Sequence, residues 1–416
     1  MIPELREDYQ VPIVKQIIQA KKDGFKAPLV VAPTGSGKTI IFAYIAADAM
    51  QHGKRVLILT HRIEILQQTV SKLFDFGVQA GVIASGKPMT IDLIQVAMVQ
   101  TLAHRVDQLI KPDLIIIDEG HHAVSPTWIK ILRKFNNVFR IFFTASPERA
   151  DGEGMISVAD IMIEGPTPRW LVDQGYLTRP RIFLGPNITA KTKLHIKMGD
   201  YDKGEQFIQK KQKTYIGNVL NHYREHLNGM PTICFCVSVE HVHLMTDIFT
   251  EAGFRAKAVH GKMKKPERDA AINGLATGEV QIVCSCDVIS EGVDVPVVTG
   301  IILLRRTKSL ALYLQQVGRG LRPVYTPGMP LTTKEERLLS IEKSIKPSCI
   351  VLDHAGNFYE HFSVLKEREW SLFSQKRSKR DKITPPDISV CPACGGSFEG
   401  NINICPECGF NIGDTN

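Results

Sequence analysis

A chain of 416 residues, 44% of them hydrophobic, can bury two full cores, which excludes a disordered polypeptide and favours two or three globular domains. Its net charge of +8 permits a polyanionic partner without requiring one. No window approaches about 18 uninterrupted apolar residues, and the opening "MIPELREDYQ" is acidic and mixed, so no membrane span or signal peptide is expected and the chain reads as cytoplasmic.

In chain order, "PLVVA" (28–32), "RVLILT" (55–60), "LIQVA" (93–97), "DLIIID" (113–118) and "FRIFFT" (139–144) are apolar runs of strand length. The stretches between them are long enough for crossover helices, so the first 150 residues or so predict a parallel α/β lobe. After a transitional segment at 166–230 the alternation resumes with "TICFCV", "RAKAVH" (255–260), "VQIVCS" (280–285) and "GIILL" (300–304). A second lobe of the same class is expected. Beyond residue 365 the pattern decays into a charged linker.

Chemistry concentrates at strand ends. In "VVAPTGSGKT" a strand runs into a glycine-rich turn and then a helical pattern. Gly35 and Gly37 allow the backbone conformations that turn successive N–H groups inward to cradle phosphates. Lys38 would reach the β- and γ-phosphates of a nucleotide, and the Thr39 hydroxyl would hold Mg2+. The strand "LIIIDEGHH" ends in Asp118, which would share the Mg2+, and Glu119, which would orient or deprotonate the attacking water. His121 is read as a link from the nucleotide toward the other lobe, and His122 as a structural neighbour. In the second lobe Arg319 and Arg322 are three apart, predicting one face of a helix with Gly318 allowing close approach; they would act as arginine fingers on the γ-phosphate.

At the C-terminus Cys391, Cys394, Cys405 and Cys408 form CxxC, ten residues, CxxC, each pair followed by a glycine suited to the turn around a tetrahedral thiolate site. A zinc ribbon binding Zn2+ is expected. Cys234, Cys236, Cys284 and Cys286 lie in predicted buried strands and are read as core. The tether before the ribbon carries Lys376, Arg377, Lys379, Arg380 and Lys382. That suits an auxiliary DNA grip; a purely structural ribbon docked on the second lobe is the competing account.

These residues carry a resemblance. The chain resembles a superfamily 2 helicase or translocase of the DExH type, with "APTGSGKT" as motif I, "LTHRIEILQQ" as Ia, "DEGH" as II, "TASPERADG" as III, "TICFCVSVEHV" as IV, "CSCDVISEGVDVP" as V and "LYLQQVGRGLRP" as VI. Together with "LDHAGN" and the cysteine cluster it is similar to the RadD-like branch, phage relatives included. The resemblance implies two RecA-like lobes, at 1–164 and 165–365, a basic linker at 366–388 and a ribbon at 389–416. It implies ATP held by Thr34, Gly35, Ser36, Gly37, Lys38 and Thr39, with Gln315 at the nucleotide and Gly292 and Asp294 at the nucleotide and its ribose. "LREDYQ" is similar to the element that reads adenine, with Gln10 on its amino edge, although Arg6 stands one residue off that pattern. Nucleic-acid contacts are implied for Thr60, Arg62, Gln100, Thr101 and Ser238.

The resulting expectation is a nucleic-acid-dependent ATPase with Mg2+ and Zn2+, acting as a DNA helicase or branched-DNA translocase on single-stranded, forked or branched DNA. An RNA helicase, the motor subunit of a restriction-type nuclease and a non-hydrolysing nucleic-acid scaffold are the alternatives.

Overall fold

The structure, a computed structural model, describes residues 4–148, 154–185, 195–197, 200–210, 213–289, 295–373 and 388–413. The chain divides into two compact units, residues 1–167 with 368–376 and residues 168–367 with 377–416.

The first unit is built on β1 (Pro28–Val31), β2 (Val56–Thr60), β3 (Ala80–Ile83), β4 (Ile94–Met98), β5 (Leu114–Ile117), β6 (Phe139–Thr144) and β7 (Ile161–Glu164). They form one sheet in the order β3-β4-β2-β5-β6-β1-β7, every pairing parallel. The central strands are apolar on both faces: Leu29 and Val30, and likewise Ile115 and Ile116, are fully buried at adjacent positions. Only a sheet covered on two sides accepts that pattern, and crossover helices such as Lys38–Gln51 and Pro126–Lys134 separate its strands in the chain. Trp128, Phe142 and Leu372 belong to one core cluster, so the segment after residue 367 contributes to this unit. Because all strands run the same way, their carboxyl ends share one edge. Residues 32–39 follow β1 there, and Asp118 and Glu119 follow β5.

The second unit contains β8 (Pro180–Leu184), a short antiparallel pair of β9 (Ile196–Lys197) and β10 (Asp200–Tyr201), then β11 (Thr232–Phe235), β12 (Ala256–Val259), β13 (Ile282–Ser285), β14 (Gly300–Leu303) and β15 (Cys349–Asp353). Its main sheet is again all parallel, in the order β12-β13-β11-β14-β15-β8. Cys234, Cys236 and Cys284 are buried in its core, as their apolar surroundings required. A last antiparallel pair, β16 (Ile388–Val390) and β17 (Ser397–Glu399), belongs to the cysteine module. That module sits on β8: Gly396 bridges Phe183, the Leu184 amide donates to the Gly395 carbonyl at 3.3 Å, and Glu407 pairs with Arg181. Cys394 packs against the lobe's own core cluster.

Candidate functional site

The glycine-rich loop after β1 is shaped by two left-handed glycines, Gly35 at φ 87° and Gly37 at φ 79°. A side chain at Gly37 would fail twice, since its Cβ would also lie 2.6 Å from Gln10 Nε2. Lys38 opens the following helix and turns back over the loop, donating to the carbonyls of Ala32 at 2.8 Å and Pro33 at 3.2 Å. Its ammonium therefore stands at the concave side of the turn.

Gln10, only 2% exposed, is fixed at both ends of its amide. Its Oε1 accepts the Arg6 N–H at 3.0 Å and its Nε2 donates to the Ser36 carbonyl at 3.3 Å, while the Tyr9 hydroxyl donates to the same carbonyl at 2.8 Å. The N-terminal element thus braces the loop through two side chains. Tyr9 was legible only as part of "LREDYQ"; its own role was missed.

Glu119 adopts a left-handed backbone, φ 50° and ψ 53°, unusual for a residue with a Cβ. Its amide donates to Asp118 Oδ1 at 3.0 Å, and its Oε2 lies 3.4 Å from His121 Nδ1. His121 Nδ1 is also 3.1 Å from Thr144 Oγ1. Thr144 spends its hydroxyl hydrogen on the Ser146 carbonyl at 2.7 Å, so toward His121 it accepts, and Nδ1 carries the hydrogen. The residues of motifs II and III are thereby joined within the first lobe. Rings continue the connection: His121 packs against His122 at 4.1 Å between centroids with the rings tilted by 41°, and His122 against His61 at 4.3 Å and 54°. His122 is accordingly the middle of a row of packed rings that reaches motif Ia, and His61, which sequence reasoning passed over, is its far end.

Around His61, Gln100 Nε2 donates to its carbonyl at 3.4 Å, and Thr60 is buried at the end of β2. Arg62 caps the helix Ile63–Asp75, and Thr101 lies in the short helix Val99–Leu102. Four of the expected nucleic-acid residues therefore cluster in the first lobe, while Ser238 lies in the second. Ser238 is an N-cap there, its hydroxyl accepting the His241 N–H at 3.2 Å.

Motif VI departs from expectation. The helix Leu310–Gly318 stops at Gly318, Arg319 is its C-cap, and Arg322 lies in irregular chain, so the two arginines do not share a helix face. Close approach is required at Gly320, where a Cβ would stand 2.3 Å from Cys349 Sγ and 2.8 Å from Ile301 Cγ1. Two glycines interrupt the helical period that Leu314, Val317 and Leu321 continue. Gln315 is 3% exposed within the same helix. "LDHAGN" holds the neighbouring strand end: Asp353 accepts the N–H groups of Ala355, Gly356 and Phe358 at 2.8–3.0 Å. Asn357 bonds Thr307 N and Arg305 O across to the "RRT" segment. Gly292 and Asp294, like the tether lysines and arginines at 376–382, lie outside the described residues.

The four C-terminal thiols gather with all Sγ atoms within 4.8 Å of one another. The Cys391–Cys408 and Cys394–Cys405 separations are 3.6 and 3.7 Å. A tetrahedral zinc with bonds of about 2.3 Å would set its sulfurs about 3.8 Å apart, so the donor set fits that ion. Each knuckle closes alike, Gly395 N donating to Cys391 O and Gly409 N to Cys405 O, both at 2.8 Å.

Comparison with known proteins agrees with this geometry. Residues 4–149 match the family described as "Type III restriction enzyme, res subunit", and residues 212–324 the family described as "Helicase conserved C-terminal domain". A 51.5 kDa protein of a Lactococcus phage (isolate 7-9) is 32% identical over 88% of this chain and 74% of its own length. A Saccharomyces cerevisiae protein named as an ATP-dependent helicase, IRC3, is 28% identical over 77% of this chain, which spans 50% of that protein. Weaker similarity extends to ATP-dependent RNA helicases of Yarrowia lipolytica. Among solved structures, a fragment of an HsdR subunit of a type I restriction enzyme from Vibrio vulnificus YJ016 superposes with a TM-score of 0.65 at 21% identity, covering 88% of this chain and 67% of that one. None of the described helices is long and apolar enough to cross a membrane. With two parallel-sheet RecA-like lobes, a phosphate loop followed by Lys38 and an acidic pair at the end of β5, the chain belongs to the superfamily 2 helicases, a family of ATP-hydrolysing enzymes.

Proposed function

We propose that this chain is a nucleic-acid-dependent ATPase of the RadD-like branch that moves along or opens DNA. The observation that carries the reading is the joint placement of the Lys38 loop and of Glu119 at one edge of the first sheet, with Glu119 held in a strained backbone against His121. Lys38 would bind the β- and γ-phosphates; Thr39 and Asp118 offer the oxygen donors that Mg2+ prefers. Glu119 would orient the attacking water, and Arg319 and Arg322 would supply charge to the transferring phosphoryl group. Gln10 and Gln315 would meet the nucleotide. The cysteine module would bind one zinc, and its seat on β8 supports a role in holding the second lobe's edge alongside any contribution to DNA grip.

DNA is favoured over RNA because the first lobe matches a restriction-enzyme family. ATP hydrolysis measured in parallel with single-stranded, duplex, forked and four-way DNA and with RNA tests this. Stimulation by DNA and not by RNA is expected; equal or greater stimulation by RNA would refute the assignment, and hydrolysis indifferent to all of them would refute the motor itself.

A further inference from the structure

Lys346 lies in none of the motifs, yet its side chain is fully buried. Its Nζ donates to the carbonyl of Pro296 at 2.8 Å and to that of Arg322 at 2.7 Å. Pro296 ends motif V and Arg322 lies in motif VI. A buried lysine ordinarily meets a carboxylate, but among the described residues these two main-chain oxygens are its acceptors. Cys349 is no counter-ion, because burial pushes its thiol up to about 11.

The cost of that burial is visible in the lysine itself. Desolvation brings its ammonium down from 10.5 to about 8; the positive charge of Arg322 acts in the same direction and Cys349 in the opposite one. The bonds it makes are charge-assisted, each roughly twice as strong as a neutral one. The chain leaving the helix Leu310–Gly318 is pinned residue by residue: Gly320 against Cys349 and Ile301, the Leu321 carbonyl by the Thr178 N–H at 2.7 Å, and the Arg322 carbonyl by Lys346. Lys346 also ties this run to the end of motif V.

We propose that Lys346 is a positioning residue for hydrolysis, its ammonium clamping motif V to motif VI and so fixing where Arg319 and Arg322 are presented. The proposal rests on the ATPase reading above. Replacement by methionine keeps the volume and removes a desolvated charge, but leaves two carbonyls without their donor, so stability should change little while geometry relaxes.

The test uses the full chain with saturating stimulating DNA and compares Lys346→Met, Arg319→Ala and the double variant. Lys346→Met should lower kcat about tenfold or more while KM for ATP moves less than about threefold, because the phosphate loop is untouched. In the Arg319→Ala background its further cost should be clearly smaller than in wild type, since part of its effect acts through that arginine and the rest through Arg322. A full multiplicative loss in the double variant, or a Lys346→Met kcat within about twofold of wild type, would overturn the clamp. Should Lys346→Met fail to fold, the wild-type pH profile decides: kcat should fall between pH 7 and 9.5 as the ammonium discharges, with the fall displaced upward in Lys346→Arg, and a flat wild-type profile overturns the proposal. Wild-type hydrolysis that no nucleic acid stimulates would refute the motor reading alone, because the cycle can still be read on basal turnover; a chain with no hydrolysis at all would refute both.

Discussion

Gly320→Ala isolates a purely steric demand. The backbone at Gly320 is not left-handed, so alanine meets no conformational penalty there. Its new methyl would lie 2.3 Å from Cys349 Sγ and 2.8 Å from Ile301 Cγ1, where ordinary contact needs about 3.5–4.0 Å. Neither neighbour can simply retreat: Cys349 and Ile301 are fully buried on β15 and β14, which pair with each other in the interior of the sheet. Overpacking of this kind costs about 2–3 kcal/mol, which for a lobe of roughly 200 residues lowers the melting temperature by about 4–12 °C. Cys349→Ala removes the closer clash, so in that background Gly320→Ala should cost at least about 1 kcal/mol less. Thermal unfolding of the four proteins, with the second lobe's transition resolved, gives the cycle. An unchanged melting temperature in Gly320→Ala, or strict additivity with Cys349→Ala, would show that the motif VI loop is not seated against β15 as described.

Lys38→Ala should lose nucleotide binding and hydrolysis together, whereas Glu119→Gln should bind ATP and turn it over slower by about two orders of magnitude or more, as equilibrium binding and single-turnover assays would show. His222, 8% exposed and 3.1 Å from His354 Nε2, is brought from 6.5 to about 4, by burial first and then by His226, with Glu225 opposing. Its folded pKa is depressed, so its contribution to stability is complete above pH 6.5 and is lost as pH falls toward 4, a change of up to about 3 kcal/mol that pH-dependent melting of wild type and His222→Gln would register. Metal analysis should find about one zinc per chain, absent from Cys405→Ser, with a lowered melting temperature in that variant.

The strands read most plainly were those apolar on both faces, such as "LIII" in β5, because burial on two sides removes the ambiguity of alternation. Of the edge strands, β12 was read as "RAKAVH", whereas β3, β7 and β8 escaped. β3 alternates partly covered and buried residues along "AGVI", and β8 opens with Pro180, which argues against a strand unless it lies at an edge, where it does lie. The glycine-rich turn after β1 and the turn at the end of β5 were legible because each is local, a few consecutive residues. The helical reading of Arg319 and Arg322 failed because an apolar period outlasted the helix by a turn, and glycine decided the matter. Lys346 could not have been found from "SIKPSC": its acceptors are 50 and 24 residues away in the chain, and only the folded sheet brings them to it.

The seat of the cysteine module has a consequence for how chains behave toward one another. β8 is the last strand of its sheet, paired on one side only by β15, and such a border offers a row of main-chain groups to any passing strand. Here it is blunted along its length: Pro180 withholds a donor at its start, Arg181 carries charge in its middle, and the knuckle at Gly395 and Gly396 occupies its end. If the four thiols hold a zinc, as proposed, its withdrawal would uncover a template for self-association, and the first sign of its loss would be chains that stick together, measurable by light scattering, before any change in the rate of ATP turnover.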